Sequence, residues 1–214
     1  MAALFPELSQ PTVAPASLRA VFIDKDGTLV EDMPHNVDPA RVHFTPHAIE
    51  GLRLLVEHGF EIVVVNNQPG LAFGVYTRAQ LTQLHLGLRE MLQREGVPLL
   101  DFYACTHAAG PGPVPACLCR KPAPGLLRQA ARAHGIDLAR SWMVGDLLDD
   151  VEAGRRAGCC SVLLDVGHET VWRTSPLRTP HHRVPDLLAA ARCIVAQPHT
   201  SCMPLASGET PVYM

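Results

Sequence analysis

The stretch Val21-Phe22-Ile23-Asp24-Lys25-Asp26-Gly27-Thr28 places two carboxylates two positions apart at the end of an apolar run. A buried strand that stops at a carboxylate delivers it to the carboxyl edge of a sheet, where open α/β folds build their sites. Asp26 follows one residue beyond the strand, so both side chains can face one crevice. Gly27 lets the chain turn sharply, and Thr28 can bond that turn. Two carboxylates in one crevice repel each other unless a cation lies between them or one is protonated. Both solutions suit phosphate chemistry with a divalent metal. Taken alone, the segment also reads as a strand ending in a polar turn, so the other strand ends must decide.

Three of them add groups suited to phosphate. Asn66, Asn67 and Gln68 follow an apolar β-branched run and carry amides that can donate to phosphate oxygens. Arg120-Lys121-Pro122 puts fixed positive charge just ahead of a helix, and Gly145-Asp146 closes another apolar run, with Asp150 four residues on. An anionic substrate with Mg²⁺ needs these parts: carboxylates for the hard cation, a cation for the phosphoryl charge and neutral donors for orientation. A second constellation is soft. Cys105-Thr-His107 and Cys117-Leu-Cys119 form two ligand pairs across a nine-residue loop. Four such ligands suit tetrahedral Zn²⁺ with no open position, hence a structural role; free thiols that merely lie close are the plainer alternative. The loop between them holds Gly110-Pro111-Gly112-Pro113, has little core of its own and would gain order from a metal.

The elements that must position these residues alternate. Strands are expected at Ala20–Asp24, Glu61–Val65, Asp101–Ala104, Trp142–Val144 and Ser161–Leu164. Helices are expected from Thr45-Pro46 to about His58, and over Thr77–Arg94, Pro124–His134, Asp149–Ala157 and Pro185–Arg192. This order predicts an α/β fold with a doubly wound, mostly parallel sheet. Residues 1–18 read as a loose arm, 19–196 as one domain with its zinc loop at 105–119, and 197–214 as a tail without pattern. His181-His182 is expected in a solvated loop; Cys159 and Cys160 read as core or strand-edge residues, and Cys193 and Cys202 as incidental.

The 214 residues carry 47% hydrophobic and 18% charged side chains, enough apolar content for one good core. A net charge of -3 without a basic stripe argues against nucleic acid, and no apolar run approaches a membrane span. The N-terminus has no basic region followed by an apolar core, and the seven cysteines suggest metal binding rather than a disulfide framework. The expectation is a cytoplasmic protein, monomeric by default, acting on a small molecule.

In order and spacing the four strand-end motifs resemble the haloacid dehalogenase (HAD) superfamily of phosphotransferases across about residues 20–195. The order C-x-H…C-x-C-R-K-P of the soft loop further resembles the D-glycero-D-manno-heptose 1,7-bisphosphate phosphatases and the related histidinol-phosphate phosphatases. That resemblance implies Asp24 as the nucleophile that forms an aspartyl-phosphate. It implies Asp26 as the group that protonates the leaving alkoxide and then activates water. Asp146 would complete the Mg²⁺ site with Asp24 and the Asp26 backbone carbonyl, and Lys121 would steady the shared negative charge. Asp150 stays open between the metal and the N-terminus of the following helix. Cys119 directly precedes Arg120-Lys121, so a zinc there would help to place the phosphate-binding lysine.

The chain also departs from the heptose pattern. Asn66-Asn67-Gln68-Pro69-Gly70 stands where Thr-Asn-Gln-Ser-Gly is usual, Phe73-Gly74 where an arginine is frequent, and Leu147 where a lysine commonly follows Gly-Asp. Lys25 replaces a usual arginine. The two lost cations imply a less anionic substrate, or one held differently. The loop over 32–39 sits where this family reads its substrate, with His35, Asn36 and Arg41 as specificity candidates and no room for a separate cap domain. The leading expectation is a Mg²⁺-dependent phosphomonoester hydrolase for a small sugar phosphate, first of all heptose 1,7-bisphosphate. Histidinol phosphate is the other substrate, and a weakly catalytic or non-catalytic binding protein the reading from a different class.

Overall fold

The computed structural model describes residues 17–110 and 117–197. Six strands form one parallel sheet: β1 (Ala20–Ile23), β2 (Glu61–Asn67), β3 (Leu99–Cys105), β4 (Trp142–Gly145), β5 (Cys160–Leu164) and β6 (His182–Val184). Their spatial order is β3-β2-β1-β4-β5-β6, with every pair parallel. The order reverses at β1, so β1 and its neighbours β2 and β4 flank the crevice where such sheets hold ligands. Among the described residues four α-helices join successive strands, α1 (Ala48–Glu57), α2 (Arg78–Arg94), α3 (Gly125–His134) and α4 (Leu148–Ala157), and α5 (Leu187–Ala196) follows β6.

The alternation within β1 shows how the layers form. Val21 and Ile23 face one core with Leu52, Leu55, Leu84, Leu88 and Ile194, drawn from α1, α2 and α5. Ala20 and Phe22 face the other core with Leu126, Leu127, Ala130 and Ala153, from α3 and α4. A strand covered on both faces has no polar side, so β1 reads AVFI and is wholly buried. The central strands are therefore a fixed platform for the polar residues at their carboxyl ends.

Several element ends differ from expectation. The hydroxyl of Thr45 donates to the Thr28 carbonyl at 2.7 Å instead of capping a helix, and α1 starts only after His47, which is left-handed at φ 60°. Thr77 does cap α2, in a capping box with Gln80. The last helix runs Leu187–Ala196 and is capped by Asp186, whose carboxylate accepts the Ala189 N–H, so it lies two residues beyond the expected start. The largest difference is β6. His182 pairs with Val162 in the sheet, and His181 donates its N–H to the Ser161 carbonyl at 2.9 Å, so this pair does not sit in a solvated loop. A three-residue edge strand has no periodicity to read; its pairing with β5 makes it a strand. Leu18, the end of the expected arm, bridges to Ile136 beside α3. Residues 1–16 and 198–214, Cys202 among them, lie outside the described residues. Among the described residues, no helix is long and apolar enough to cross a membrane.

Candidate active site and soft-ligand cluster

β1 ends where its backbone pairing passes to Asp24, whose N–H donates to the Val144 carbonyl at 3.0 Å. Asp24 is thereby held at the carboxyl edge beside the end of β4, where Asp146 stands. Both side chains are buried, as is Asp150 on the first turn of α4. Lys121 is the buried cation among them, its Nζ 2.5 Å from Asp24 Oδ1 and 2.6 Å from Asp150 Oδ1, and donating to the Val65 carbonyl at 3.1 Å. Asp146 accepts the Thr28 hydroxyl on Oδ1 at 2.8 Å and meets His168 Nδ1 at Oδ2 at 2.7 Å. Asp26 is half-buried; its Oδ1 pairs with Lys25, and its Oδ2 accepts from Asn66 at 3.0 Å and Gln68 at 3.2 Å. Tyr76 fixes Gln68 in turn, its hydroxyl donating to Oε1 at 2.6 Å.

The charges do not balance. With all four carboxylates ionised, Asp24, Asp26, Asp146 and Asp150 would exceed Lys25 and Lys121 by two negative charges in a largely buried cluster. Burial pushes the Asp24 carboxyl up to about 7 even with Lys121 beside it, and burial likewise raises Asp146 and Asp150. Lys121 goes upward because Asp150 and Asp24 outweigh the burial of its ammonium. Carboxylate oxygens of Asp24, Asp146 and Asp150 lie within 4.8 Å of one another. Asp150 is already committed, with Oδ1 on Lys121 and Oδ2 accepting the Leu147 N–H at 3.1 Å. It serves the lysine and caps α4, which leaves Asp24 and Asp146 as the pair able to share a divalent cation. A hard, oxygen-preferring ion of charge two fits both donor set and charge.

The amides after β2 are used differently from one another. Asn66 and Gln68 each spend one N–H on Asp26 and keep a second. Asn67, expected to donate to phosphate, instead clamps the backbone of Lys121, accepting its N–H at 3.0 Å and donating to its carbonyl at 3.1 Å. That clamp ties the ends of β2 and the β3–α3 loop, so Asn67 sets where Lys121 stands. Arg120 brings a buried Nη1 that has no hydrogen-bond partner among the described residues. Of the loop candidates, His35 reaches the β2–α2 turn, its Nδ1 3.1 Å from where a side chain at Gly70 would begin. Asn36 closes a local turn with Asp38, and Arg41 is exposed.

Cys105, His107, Cys117 and Cys119 converge at one point. Their sulfurs are 3.3–3.6 Å apart, and His107 Nδ1 is 3.2 Å from Cys119 and 3.5 Å from Cys105. A tetrahedron with metal–sulfur bonds of about 2.3 Å has edges of about 3.8 Å, so the donor set has the size and softness for Zn²⁺. Burial alone would raise the Cys117 thiol, but N–H and S–H donors from Arg120 and Cys119 bring it down to about 7. The Arg120 N–H lies 3.4 Å from Cys117 Sγ, linking this cluster directly to the Arg120-Lys121 pair.

Comparison with known proteins places this arrangement. Residues 118–191 match the HAD-hydrolase-like family. The D-glycero-beta-D-manno-heptose-1,7-bisphosphate 7-phosphatase of Mesorhizobium japonicum is 37% identical over 184 residues, covering 83% of this chain and 84% of the relative. The chain belongs to the heptose-bisphosphate phosphatase family of HAD-like hydrolases. Another relative in this family, from Photorhabdus laumondii, is 35% identical over 72% of this chain and 86% of its own, and is named for the alpha anomer. A crystal structure of the D,D-heptose 1,7-bisphosphate phosphatase from B. bronchiseptica, complexed with magnesium and phosphate, superposes with a TM-score of 0.71 at 30% identity. It covers 83% of this chain and 98% of that one.

Sequence reasoning passes over Lys25, Tyr76 and His168 as parts of the site. Lys25 and Tyr76 sit within or beside motifs already singled out, but nothing in the sequence says that their side chains fold inward. His168 has a usable signal: Gly167-His168 follows β5 much as Gly145-Asp146 closes β4, at the same edge of the sheet.

Proposed function

We propose that the protein is a Mg²⁺-dependent phosphomonoester hydrolase that works through an aspartyl-phosphate on Asp24. The observation that carries this reading is the uncompensated pair of negative charges at the ends of β1 and β4, beside a half-buried acid, Asp26, held by amide donors. Mg²⁺ held by Asp24 and Asp146 would withdraw charge from the phosphoryl oxygens and so make a carboxylate an adequate nucleophile. Asp24 attacks phosphorus through a carboxylate oxygen. Lys121, fixed by Asp150 and the Val65 carbonyl, stabilises the charge shared by nucleophile and phosphoryl group. As the bond from phosphorus to the substrate oxygen breaks, Asp26 in its protonated form gives its proton to that oxygen. The carboxylate left behind then takes a proton from the water that hydrolyses the acyl phosphate, which restores the acid. The second N–H groups of Asn66 and Gln68 would serve phosphoryl oxygens, and Arg120, with its buried and unpartnered Nη1, would add positive charge nearby. Zn²⁺ on the Cys/His cluster would hold Arg120 and Lys121 in place without touching substrate.

The substrate proposed first is D-glycero-D-manno-heptose 1,7-bisphosphate, with the 7-phosphate removed, by analogy with relatives that share most of the chain. Those relatives carry names for both anomers, so either is a candidate. A cytoplasmic monomer is the form in which we expect it to act. The test is phosphate release with Mg²⁺ from both heptose bisphosphate anomers, histidinol phosphate and common sugar monophosphates. Preference for a heptose bisphosphate supports the full reading. Preference for histidinol phosphate keeps the chemistry and replaces the substrate. No release from any of them by folded protein would favour a binding role instead.

A further inference from the structure

The loop from β5 to β6 lies outside every motif used above, yet it reaches the carboxylate cluster through His168. The imidazole Nδ1 is 2.7 Å from Asp146 Oδ2, while the other carboxylate oxygen accepts the Thr28 hydroxyl at 2.8 Å. Asp146 is thus gripped from two sides, one protein donor on each oxygen, and each oxygen keeps a further lone pair. Gly27 makes room for this grip: a Cβ there would lie 2.5 Å from Asp146 Oδ2 and 2.6 Å from His168 Nδ1.

His168 is not delivered by a loose loop. Next to it, Glu169 accepts the Leu148 N–H on Oε2 at 2.9 Å, an N–H at the start of α4 that no helical carbonyl can take. The same side chain accepts the Val171 N–H on Oε1 at 2.9 Å, which closes the turn. Farther along, Arg178 ties the loop to α4 again through Glu152 at 2.7 Å and through Asp149. The segment is fastened to the helix that begins just after Asp146, so carboxylate and imidazole are set by one rigid unit.

We propose that His168 is a positioning residue, which fixes the rotamer of Asp146 so that its remaining lone pairs point at a divalent cation shared with Asp24. The proposal rests on the magnesium reading above. Hydrogen-bond partners of metal-binding carboxylates are worth about 10–100-fold in metal affinity, and His168 is the one of the two partners that lies at the mouth of the site, 43% exposed. Its removal should therefore leave the fold intact.

The experiment measures Mn²⁺ binding to the full-length protein by electron paramagnetic resonance of the free ion, with Mn²⁺ as the probe for Mg²⁺. Asp24→Asn and His168→Ala are compared with wild type, and His168→Asn retains an N–H near the position of Nδ1. The expected result is about tenfold weaker Mn²⁺ binding in His168→Ala, binding within about threefold of wild type in His168→Asn, and unchanged thermal stability in both. Equal or tighter Mn²⁺ binding in His168→Ala would overturn the proposal, the tighter case meaning that the histidine competes with the ion. Wild type that binds Mn²⁺ no better than Asp24→Asn would instead bring down the magnesium reading itself, and the proposal with it.

Discussion

The two clusters of side chains suited to metals are opposite solutions to the same electrostatic problem. The carboxylates are built by the sheet: Asp24 follows β1, Asp146 follows β4, and both would keep their places without an ion because the strands are buried on both faces. Burying so many carboxylates is the cost of that arrangement, visible in the upward push that burial, and then the neighbouring carboxylates, put on Asp24, Asp146 and Asp150. The soft ligands come from two separate stretches, Cys105 and His107 at and just beyond the end of β3 and Cys117 and Cys119 ahead of α3, and Cys117 and Cys119 are only partly buried against the core that Cys105 joins. There a metal would supply the cross-link that packing does not. On the proposed reading, one cluster would weaken the fold and do chemistry, and the other would strengthen the fold and do none.

The strongest way to break that contrast is Asp24→Asn. Loss of the nucleophile should lower phosphate release by about three orders of magnitude or more. The amide is nearly isosteric and uncharged, so the metal-free variant should melt no lower than wild type, and higher if the buried charge is costly. Phosphate release near the wild-type rate would remove Asp24 from the mechanism. A marked fall in Tm would mean that the carboxylate stabilises the fold, which reverses the contrast.

Cys117→Ser should do the reverse. Loss of one soft ligand is expected to abolish zinc retention and lower stability on the order of 3 kcal/mol, about 6–12 °C in Tm for a domain of this size. Activity should fall as well, through the contact from the Arg120 N–H to Cys117 Sγ. Elemental analysis and thermal melting check this together. A wild-type protein without zinc, melting as the variant does, would reduce the cluster to four neighbouring side chains.

The contrast also explains how much of the molecule is legible in its sequence. Asp24, Asp26 and Asp146 follow apolar runs, and the end of a buried strand is legible because hydrophobicity stops there. The soft ligands are legible because cysteine and histidine at short spacing have few other uses. The hidden part is what depends on long-range packing: that Asn67 clamps Lys121, that Asp150 serves the lysine as well as its own helix, and that His168 returns to Asp146. Each is a contact between distant segments, made by residue types that are ordinary on a surface. β6 is hidden for the same reason, since three residues carry too little pattern to reveal a strand that only its neighbour defines.

His181 provides a third polar cluster against which to set the two candidate metal sites. Its Nδ1 faces the Ser161 N–H at 3.0 Å, and its Nε2 faces Arg155 Nη1 at 2.8 Å. Nε2 meets only the Arg155 donor, and the acceptor near Nδ1 is the Ser161 hydroxyl at a long 3.4 Å, so a protonated ring would be poorly served. Burial, and then the Arg155 and His182 charges, hold its pKa down at about 4. An unfolded histidine titrates near 6.5, so as the pH falls the unfolded chain takes up the proton first. Stability from this group is therefore constant above about pH 6.5 and is lost between there and pH 4. The ring is partly open to solvent, and with screening allowed for the loss is on the order of 1 kcal/mol. His85, stacked on Phe102 and also held near 4, titrates in the same direction, so the informative quantity is the difference between wild type and His181→Asn. That difference should shrink as the pH is lowered from 6.5 to 4, because only wild type gives up stability from this group. It should be the same with Mg²⁺ and with a chelator. A difference that moves with the metal would mean that this cluster is coupled to the carboxylate site after all, through α4, which carries both Arg155 and Asp150.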